Sequence, residues 1–409
     1  MTEALYYGDP TVVECTAQVI SCDEKDGSYR IVLDRTPIFP EGGGQLADGG
    51  TLEAGGQTAR ILDCRTIGGE TVHICTTPFA PGSTVTVKLD LERRLDHSEQ
   101  HTGEHILSGL ASKLFGAVNV GFHMAESYCT IDLDLPLTTE QLAQLELAAN
   151  RAVRRDLKVH TEVTDEADAL SRTLRKRAEK AHGEVRIVYI DNGKVDSCTC
   201  CGTHLPRTGM VGAIRITDSQ HYKGGTRLWF ACGERATRAS LEEHVSLTAL
   251  ARQYSTAREE LPAAIRKQSD ELAAAKAELK AKAQQLAERT AEALLAAAKT
   301  SGGAAVICAS LPGTGANDLK LICDKLAFGG NSTPWAALLF APAADSTDYR
   351  MACSAGLRLS MKELCAAVNA AVNGKGGGNP LFAQGKTARV VDAQTVEMLE
   401  DYILKALRA

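Results

Sequence analysis

With 409 residues, 44% of them hydrophobic, 23% charged and 5% aromatic, the chain has the composition of a globular protein of two to four domains. A formal net charge of −6 excludes a coat of positive charge for indiscriminate nucleic-acid binding, while leaving room for a local basic face. No run approaches the ~18 apolar residues of a membrane span, and Met1–Tyr7 carries neither a basic nor an apolar leader segment, so the sequence predicts a cytoplasmic protein with no membrane partner, whose 13 cysteines are thiols or metal ligands.

Residues 1–90 read as a small, Gly-rich β-barrel. The stretches 11–16, 29–33, 59–64, 71–75 and 84–89 alternate or run β-branched, with Gly and Asp clusters between them. Residues 91–233 read as an α+β layer. Ile106, Leu107, Leu110 and Leu114 recur at helical spacing and predict a helix over 97–115. Strands follow at 128–133 and 185–190, with a long helix over 139–157. In the same region Arg172, Arg175, Lys176, Arg177 and Lys180 fall within nine residues, which suits either a solvated helix face or contacts to phosphates.

Residues 234–300 are dense in Ala, Glu, Lys, Leu and Gln. Ile265, Leu272, Leu279 and Leu286 recur every seven residues, but the companion heptad position holds Gln268, Ala275 and Lys282, so only half a coiled-coil seam is present. Pro262 predicts a hairpin of two antiparallel helices meeting near Glu259–Pro262, with one long solvated helix as the alternative. Residues 301–409 read as a compact α/β domain with apolar strands at 304–309, 335–340 and 350–354, helices near 318–326, 360–372 and 393–407, and a flexible Gly-rich loop over 374–380. The predicted class is therefore an α+β multidomain protein.

Two short segments carry the chemistry. His101-Thr102-Gly103-Glu104-His105 places two imidazoles at i and i+4 on one helix face, about 5–6 Å apart at Cβ. Cys200-Cys201-Gly202-Thr203-His204 offers a thiolate and a third imidazole around a Gly-Thr kink. Three imidazoles and one sulfur suit zinc better than calcium or magnesium. Spacing alone leaves two alternatives open: surface or core-edge histidines that bind no metal, and Cys198 or Cys201 in place of Cys200 for any role. Glu104 reads as an exposed helix glutamate, with proton acceptance from water as the sharper alternative.

The order of motifs adds a resemblance. Thr36-Pro37-Ile38-Phe39-Pro40-Glu41-Gly42-Gly43-Gly44-Gln45 and Ala47-Asp48-Gly49-Gly50 precede the histidine pair. Thr208-Gly209-Met210-Val211-Gly212 and Gly224-Gly225-Thr226-Arg227-Leu228-Trp229-Phe230 follow the Cys/His pair. This succession resembles the alanyl-tRNA editing proteins of the AlaX type, relatives of the editing domain of alanyl-tRNA synthetase. Gly376-Gly377-Gly378-Asn379-Pro380 with Ala383-Gln384-Gly385 is similar to the DHHA1 domain that ends the long forms. The resemblance implies hydrolysis of the ester on tRNA(Ala) mischarged with serine, or with glycine, by a homodimer carrying Zn2+. It implies His101, His105, Cys200 and His204 as zinc ligands and Thr36 beside the serine hydroxyl. Gln45, with Gly43 and Gly44, would line the approach of the tRNA terminus, and Arg227 would lie on the substrate. The family's polar residue after the histidine helix falls near 116–120, where only Asn119 is polar; Asn119 and His123 are left out of the implied site.

Zinc can lower the pKa of a bound water toward ~7 and polarise an ester carbonyl. Four protein ligands, however, are the mark of a closed structural site, so a non-catalytic dimeric tRNA-binding factor is the first rival. Threonyl-tRNA editing, which shares both ligand pairs, is the second. A phosphoesterase of the DHH type is disfavoured, because Asp96-His97-Ser98 is not Asp-His-His.

Overall fold

Alternation of apolar and polar side chains decides the first element. In the computed structural model, which describes residues 2–8, 12–176, 184–328 and 333–408, six strands close a barrel: β1 (Glu14–Lys25), β2 (Ser28–Leu33), β3 (Gly50–Ala54), β4 (Gln57–Ile67), β5 (Glu70–Cys75) and β6 (Thr84–Leu89). They run antiparallel around the circle in the order β1-β2-β5-β4-β3-β6. Ala17, Val19, Ile31, Leu33, Leu52, Ile61, Val85 and Val87 point inward and fill it. Three hairpins turn on two residues, Asp26-Gly27, Gly55-Gly56 and Gly68-Gly69, each with both φ positive, the backbone that matches the right-handed strand twist. The segment between β2 and β3 folds back over the barrel, with Ile38 and Ala47 in its core.

That segment is tied to the next element, α1 (Leu91–Phe115), by a buried ion pair. Arg94 of α1 holds Asp48 and also donates to the Pro37 carbonyl at 2.6 Å, while Phe39 N–H donates to Asp48 at 2.7 Å. Helix α1 starts six residues before the expected His97, because Asp90 caps it by accepting from Arg93 N–H; it ends at Gly116 in the left-handed region. Its surroundings approach closely. A Cβ on Gly103 would lie 2.1 Å from Cys232 Sγ, and one on Gly109 would lie 2.4 Å from the Val195 carbonyl oxygen.

Around α1 lie two sheets and a second helix. The four-stranded sheet contains β7 (Asn119–Met124), β8 (Cys129–Leu133), β12 (Ile214–Tyr222) and β13 (Gly225–Cys232), in the order β12-β13-β8-β7. The three-stranded sheet runs β9 (Val159–Asp165), β10 (Glu184–Ile190), β11 (Asp196–Thr199). Helix α2 (Thr139–Arg154) opens on a capping box of Thr138 and Gln141. It stops short of the expected Leu157, and Asp156 then takes positive φ. Ile106, Leu107, Leu145, Ile190, Phe230 and Cys232 meet in one core. A helix α3 (Gly233–Gln253) closes this first unit, Met1–Gln253.

The second unit, Tyr254–Ala409, opens with α4 (Leu261–Ala296), whose Pro262 sits in the first turn. A mixed six-stranded sheet follows: β14 (Lys299–Ser301), β15 (Ala304–Ser310), β16 (Trp335–Pro342), β17 (Thr347–Cys353), β18 (Gly374–Gly378) and β19 (Phe382–Thr387), ordered β14-β15-β16-β17-β19-β18. Helix α5 (Ala316–Phe328) and the end of α4 share one core with it. Helices α6 (Met361–Val372) and α7 (Ala393–Ala406) share the other.

One expectation is corrected and another is narrowed. The Gly-rich stretch expected as a flexible loop is an edge strand: Gly374–Gly378 pairs with 383–387. Glycine is required there by closeness, since a Cβ on Gly378 would lie 2.1 Å from the Phe382 carbonyl oxygen. Within the basic run, Arg172 and Arg175 are not free for phosphates. Arg172 binds Glu162 and Asp168, and Arg175 turns inward to Asp196; Arg177 and Lys180 lie outside the described residues. Among the described residues no helix is long and apolar enough to cross a membrane, and the cysteines are free thiols.

Candidate metal centre

Helix α1 buries a face that a soluble helix ordinarily exposes. His97, Ser98, Gln100, His101, Glu104, His105 and Ser108 are all enclosed, because sheets on two sides and the barrel loop surround it. At i and i+4 on this face, His101 and His105 meet the turn after β11. The ligand atoms of His101, His105, Cys200 and His204 all lie within 4.8 Å of one another. Cys200 Sγ stands 3.4 Å from Nε2 of both His101 and His204, and Gly202 N–H donates to it at 3.3 Å. Glycine is forced at 202, since a Cβ there would lie 2.1 Å from the His101 ring. Of the competing thiols, Cys200 faces the four-residue cluster and Cys201 is exposed, while Cys198 groups instead with His105 and Asp196, their ligand atoms within 4.8 Å of one another.

The outer bonds of the rings fix which nitrogen faces inward. His101 Nδ1 lies 2.7 Å from Gln45 Oε1, and His105 Nδ1 lies 2.8 Å from Asp196 Oδ2. An amide oxygen and a carboxylate only accept, so both Nδ1 atoms donate and both Nε2 atoms are left to ligate. Arg175 holds Asp196 in turn, at 2.7 and 3.0 Å. Burial would push the Cys200 thiol up, but the facing imidazoles of His101 and His204 draw it well below its ordinary value. Burial pushes His204 down to about 3, which keeps it neutral. Burial also opposes charge on His105, yet Glu104 and Asp196 hold its pKa well above the usual range, so a cation at Nε2 competes there with a proton. Three imidazoles and a thiol inclined to ionise, two of the rings braced from behind, are the donor set and the support that zinc takes.

Glu104 is not the exposed helix residue expected of it. It is 4% exposed; Oε1 accepts from Ser108 Oγ at 2.6 Å and from Asn119 Nδ2 at 2.5 Å, and Oε2 lies 3.6 Å from the inward nitrogen of His105. A charged side chain enclosed and aimed this way sits where a proton acceptor can serve the cluster.

The other implied residues divide. Gln45 is at the cluster but 1% exposed, bonded to His101 and Thr203. Gly43 and Gly44 both have positive φ, and a Cβ on Gly44 would lie 2.8 Å from Phe122, whose ring lies 5.1 Å from that of His101. Thr36 is fully enclosed: its Oγ1 lies 2.9 Å from His73 Nε2 and accepts from Ile38 N–H at 3.1 Å. His73 Nδ1 meets the Ile31 carbonyl at 3.1 Å and so donates, which makes Nε2 the acceptor of the Thr36 hydroxyl proton. Arg227 is engaged elsewhere in the four-stranded sheet, bidentate to Asp132 at 2.6 and 2.7 Å and 3.8 Å over the Tyr222 ring.

Sequence reasoning missed Asp196, Ser108 and His73. None sits at a ligand spacing, so none carried a motif. Asn119 was visible as the lone polar residue in an apolar stretch.

Residues 9–93 match the family model for class II (A) tRNA synthetases, and residues 185–228 match the threonyl and alanyl tRNA synthetase second additional domain. The chain is 28% identical over 404 residues to the alanyl-tRNA editing protein Aarsd1 of Rattus norvegicus, covering 96% of this chain and 94% of that one. It is 33% identical over 243 residues to the alanyl-tRNA editing protein AlaX-L of Pyrococcus horikoshii, covering 58% of this chain and 59% of that one. Over 271 residues it is 32% identical to the alanine–tRNA ligase of Pyrococcus abyssi, of which it spans 29%. Among solved structures, the C-Ala domain of Aquifex aeolicus alanyl-tRNA synthetase covers 27% of the chain at 15% identity and a TM-score of 0.25, too slight a likeness to carry an argument.

Proposed function

We propose that this chain, like the alanyl-tRNA editing proteins it is similar to, is a hydrolase that removes a wrongly attached amino acid from tRNA(Ala). The observation that carries the proposal is the convergence of His101, His105, Cys200 and His204 beside the buried carboxylate of Glu104. The first four would hold Zn2+, which when bound supplies a positive charge against the ester carbonyl. Glu104 Oε2 accepts a proton from the attacking water as its oxygen adds to the carbonyl carbon. The carboxyl returns that proton to the ribose oxygen as the ester C–O bond breaks, releasing the free amino acid and intact tRNA. Ser108 and Asn119 keep Oε1 occupied, so the proton work falls to Oε2.

Serine as the amino acid rests on the resemblance, with Thr36 as selector. In this conformation the Thr36 hydroxyl is enclosed and its proton goes to His73, leaving Oγ1 one lone pair for a donor such as the serine hydroxyl. Contact therefore requires the Thr36–Ile38 segment to open. A Thr36→Val variant is expected to lose the preference for seryl- over alanyl-tRNA(Ala); an unchanged ratio removes Thr36 from the site.

Gly43 and Gly44 at the approach, Arg227 on the substrate and a DHHA1-like second unit remain parts of the proposal that the resemblance supports. Self-association would use the seam of Ile265, Leu272, Leu279 and Leu286, all exposed on α4. The deciding experiment incubates the protein with seryl-tRNA(Ala), alanyl-tRNA(Ala) and seryl-tRNA(Thr), each with and without a zinc chelator. Chelator-sensitive release of serine from seryl-tRNA(Ala) is expected. Four protein donors favour a structural zinc in a tRNA-binding factor as the second reading, and tight tRNA binding without deacylation would select it.

A further inference from the structure

One carboxamide joins three separate segments of the first unit. Gln45 comes from the loop over the barrel, His101 from α1, and Thr203 from the Cys200–His204 turn. Gln45 Oε1 accepts from His101 Nδ1 at 2.7 Å and from Thr203 N–H at 3.0 Å, and Gln45 Nε2 donates to Thr203 Oγ1 at 2.9 Å. Thr203 Oγ1 is in turn bonded to Ser98 Oγ at 2.9 Å. The amide oxygen takes two donors, one amide hydrogen goes to Thr203, and the side chain is enclosed, so Gln45 presents no exposed hydrogen-bonding edge to a nucleotide. Gly202 permits this closeness, since a Cβ there would stand 2.8 Å from Gln45 Oε1.

We infer that Gln45 is a positioning residue of the metal centre: from the barrel loop it holds His101 in the Nδ1–H form and locks the Cys200–His204 turn against it. The inference rests on the reading of the cluster as a zinc site. It replaces contact with the tRNA terminus, the role the family resemblance gave this residue. Asp196 braces His105 in the same way, so each helix ligand has its own outer partner, one from the barrel loop and one from β11. Partners of this kind set ring orientation and ligand basicity, and their removal lowers metal affinity about 10–100-fold.

The test is zinc affinity, measured by competition with a chromophoric chelator on the full-length chain. Gln45→Leu removes the acceptor and is expected to weaken zinc binding about 10–100-fold. Gln45→Glu keeps an oxygen for His101 Nδ1 and lets the Thr203 hydroxyl reverse to donate, so its affinity is expected within about threefold of wild type, inside that range's lower bound. If Gln45→Leu binds zinc like wild type but loses deacylation, the residue acts on tRNA and the inference is overturned. Nitrogen-15 shifts of the His101 ring in the wild-type protein give a second measurement that needs no variant: protonated Nδ1 supports the lock, and protonated Nε2 overturns it. A wild type that binds no zinc at all would remove the metal reading itself, an outcome separate from a variant-specific loss.

Discussion

Helices α1 and α4 invert the usual rule in opposite directions. Helix α1 encloses His97, Gln100, His101, Glu104, His105 and Ser108, whereas α4 leaves Leu272, Leu279 and Leu286 in solvent at 54%, 72% and 65% exposure. Enclosed polar groups left unbonded destabilise the fold, and the cluster residues of α1 come with partners, Gln45 for His101, Asp196 for His105 and Asn119 and Arg175 for Glu104, whereas the buried ring nitrogens of His97 have none among the described residues. Exposed leucines need no partner, and scattered ones are ordinary on a protein surface. The difference teaches where constraint lies. A change on α1 propagates through three segments of chain, and a change at Leu272, Leu279 or Leu286 on α4 meets mostly solvent.

The largest effect should come from breaking the cluster itself. Cys200→Ala is expected to abolish stoichiometric zinc, measured by elemental analysis of the purified protein, and to reduce deacylation to background. Next, Glu104→Gln separates chemistry from metal binding. It keeps the bonds from Ser108 and Asn119 to the side-chain oxygen, so zinc content should hold while kcat falls by roughly 10²–10⁴, the usual worth of a proton acceptor. Equal losses of zinc and rate would instead make Glu104 a structural neighbour.

Packing around α1 gives the third prediction. Gly103→Ala puts a methyl group 2.1 Å from Cys232 Sγ and is expected to destabilise the first unit by about 1–3 kcal/mol, read from denaturant midpoints. The fourth concerns acid. Burial holds His73 at about 4 against an ordinary 6.5, so the unfolded chain binds the extra proton between those values. Stability is therefore full above 6.5 and falls as pH drops toward 4, by at most roughly 3 kcal/mol from this residue. His73→Gln should flatten that part of the pH–stability curve; an unchanged slope would assign it to other groups. The smallest effect on stability is expected from Leu279→Glu on α4, within about 0.5 kcal/mol. The same variant should lower the mass seen by light scattering if the exposed seam joins two copies.

Much of the first unit was legible because its signals are local. Alternation marked the barrel strands, and the i, i+4 histidines needed only a helix to come together. Paired Gly and Asp turns closed the hairpins. The proximity of His101, His105, Cys200 and His204 was legible for the same reason, since each pair lies within five residues. Glu104 was misjudged because a glutamate on a helix is exposed unless something covers it, and the cover comes from β7 and from Arg175, distant in sequence. The run at Arg172 and Arg175 misled in the same way: their carboxylate partners, Glu162, Asp168 and Asp196, are not visible as a pattern. Gly374–Gly378 was misjudged because glycine marks both a free loop and a strand pressed against its neighbour, and only the neighbour tells them apart.

By itself the sequence determined the donor atoms: three imidazoles and a thiol, at spacings that a helix and a tight turn convert into proximity. Tertiary structure alone decided their state. Which ring nitrogen carries the proton, whether Glu104 sees the cluster, and whether Gln45 meets tRNA or a histidine all depend on groups 15 to 158 residues away in the chain, brought within 3 Å by packing. Hydrogen-bond roles are a property of the enclosed neighbourhood, and no short stretch of sequence contains that neighbourhood.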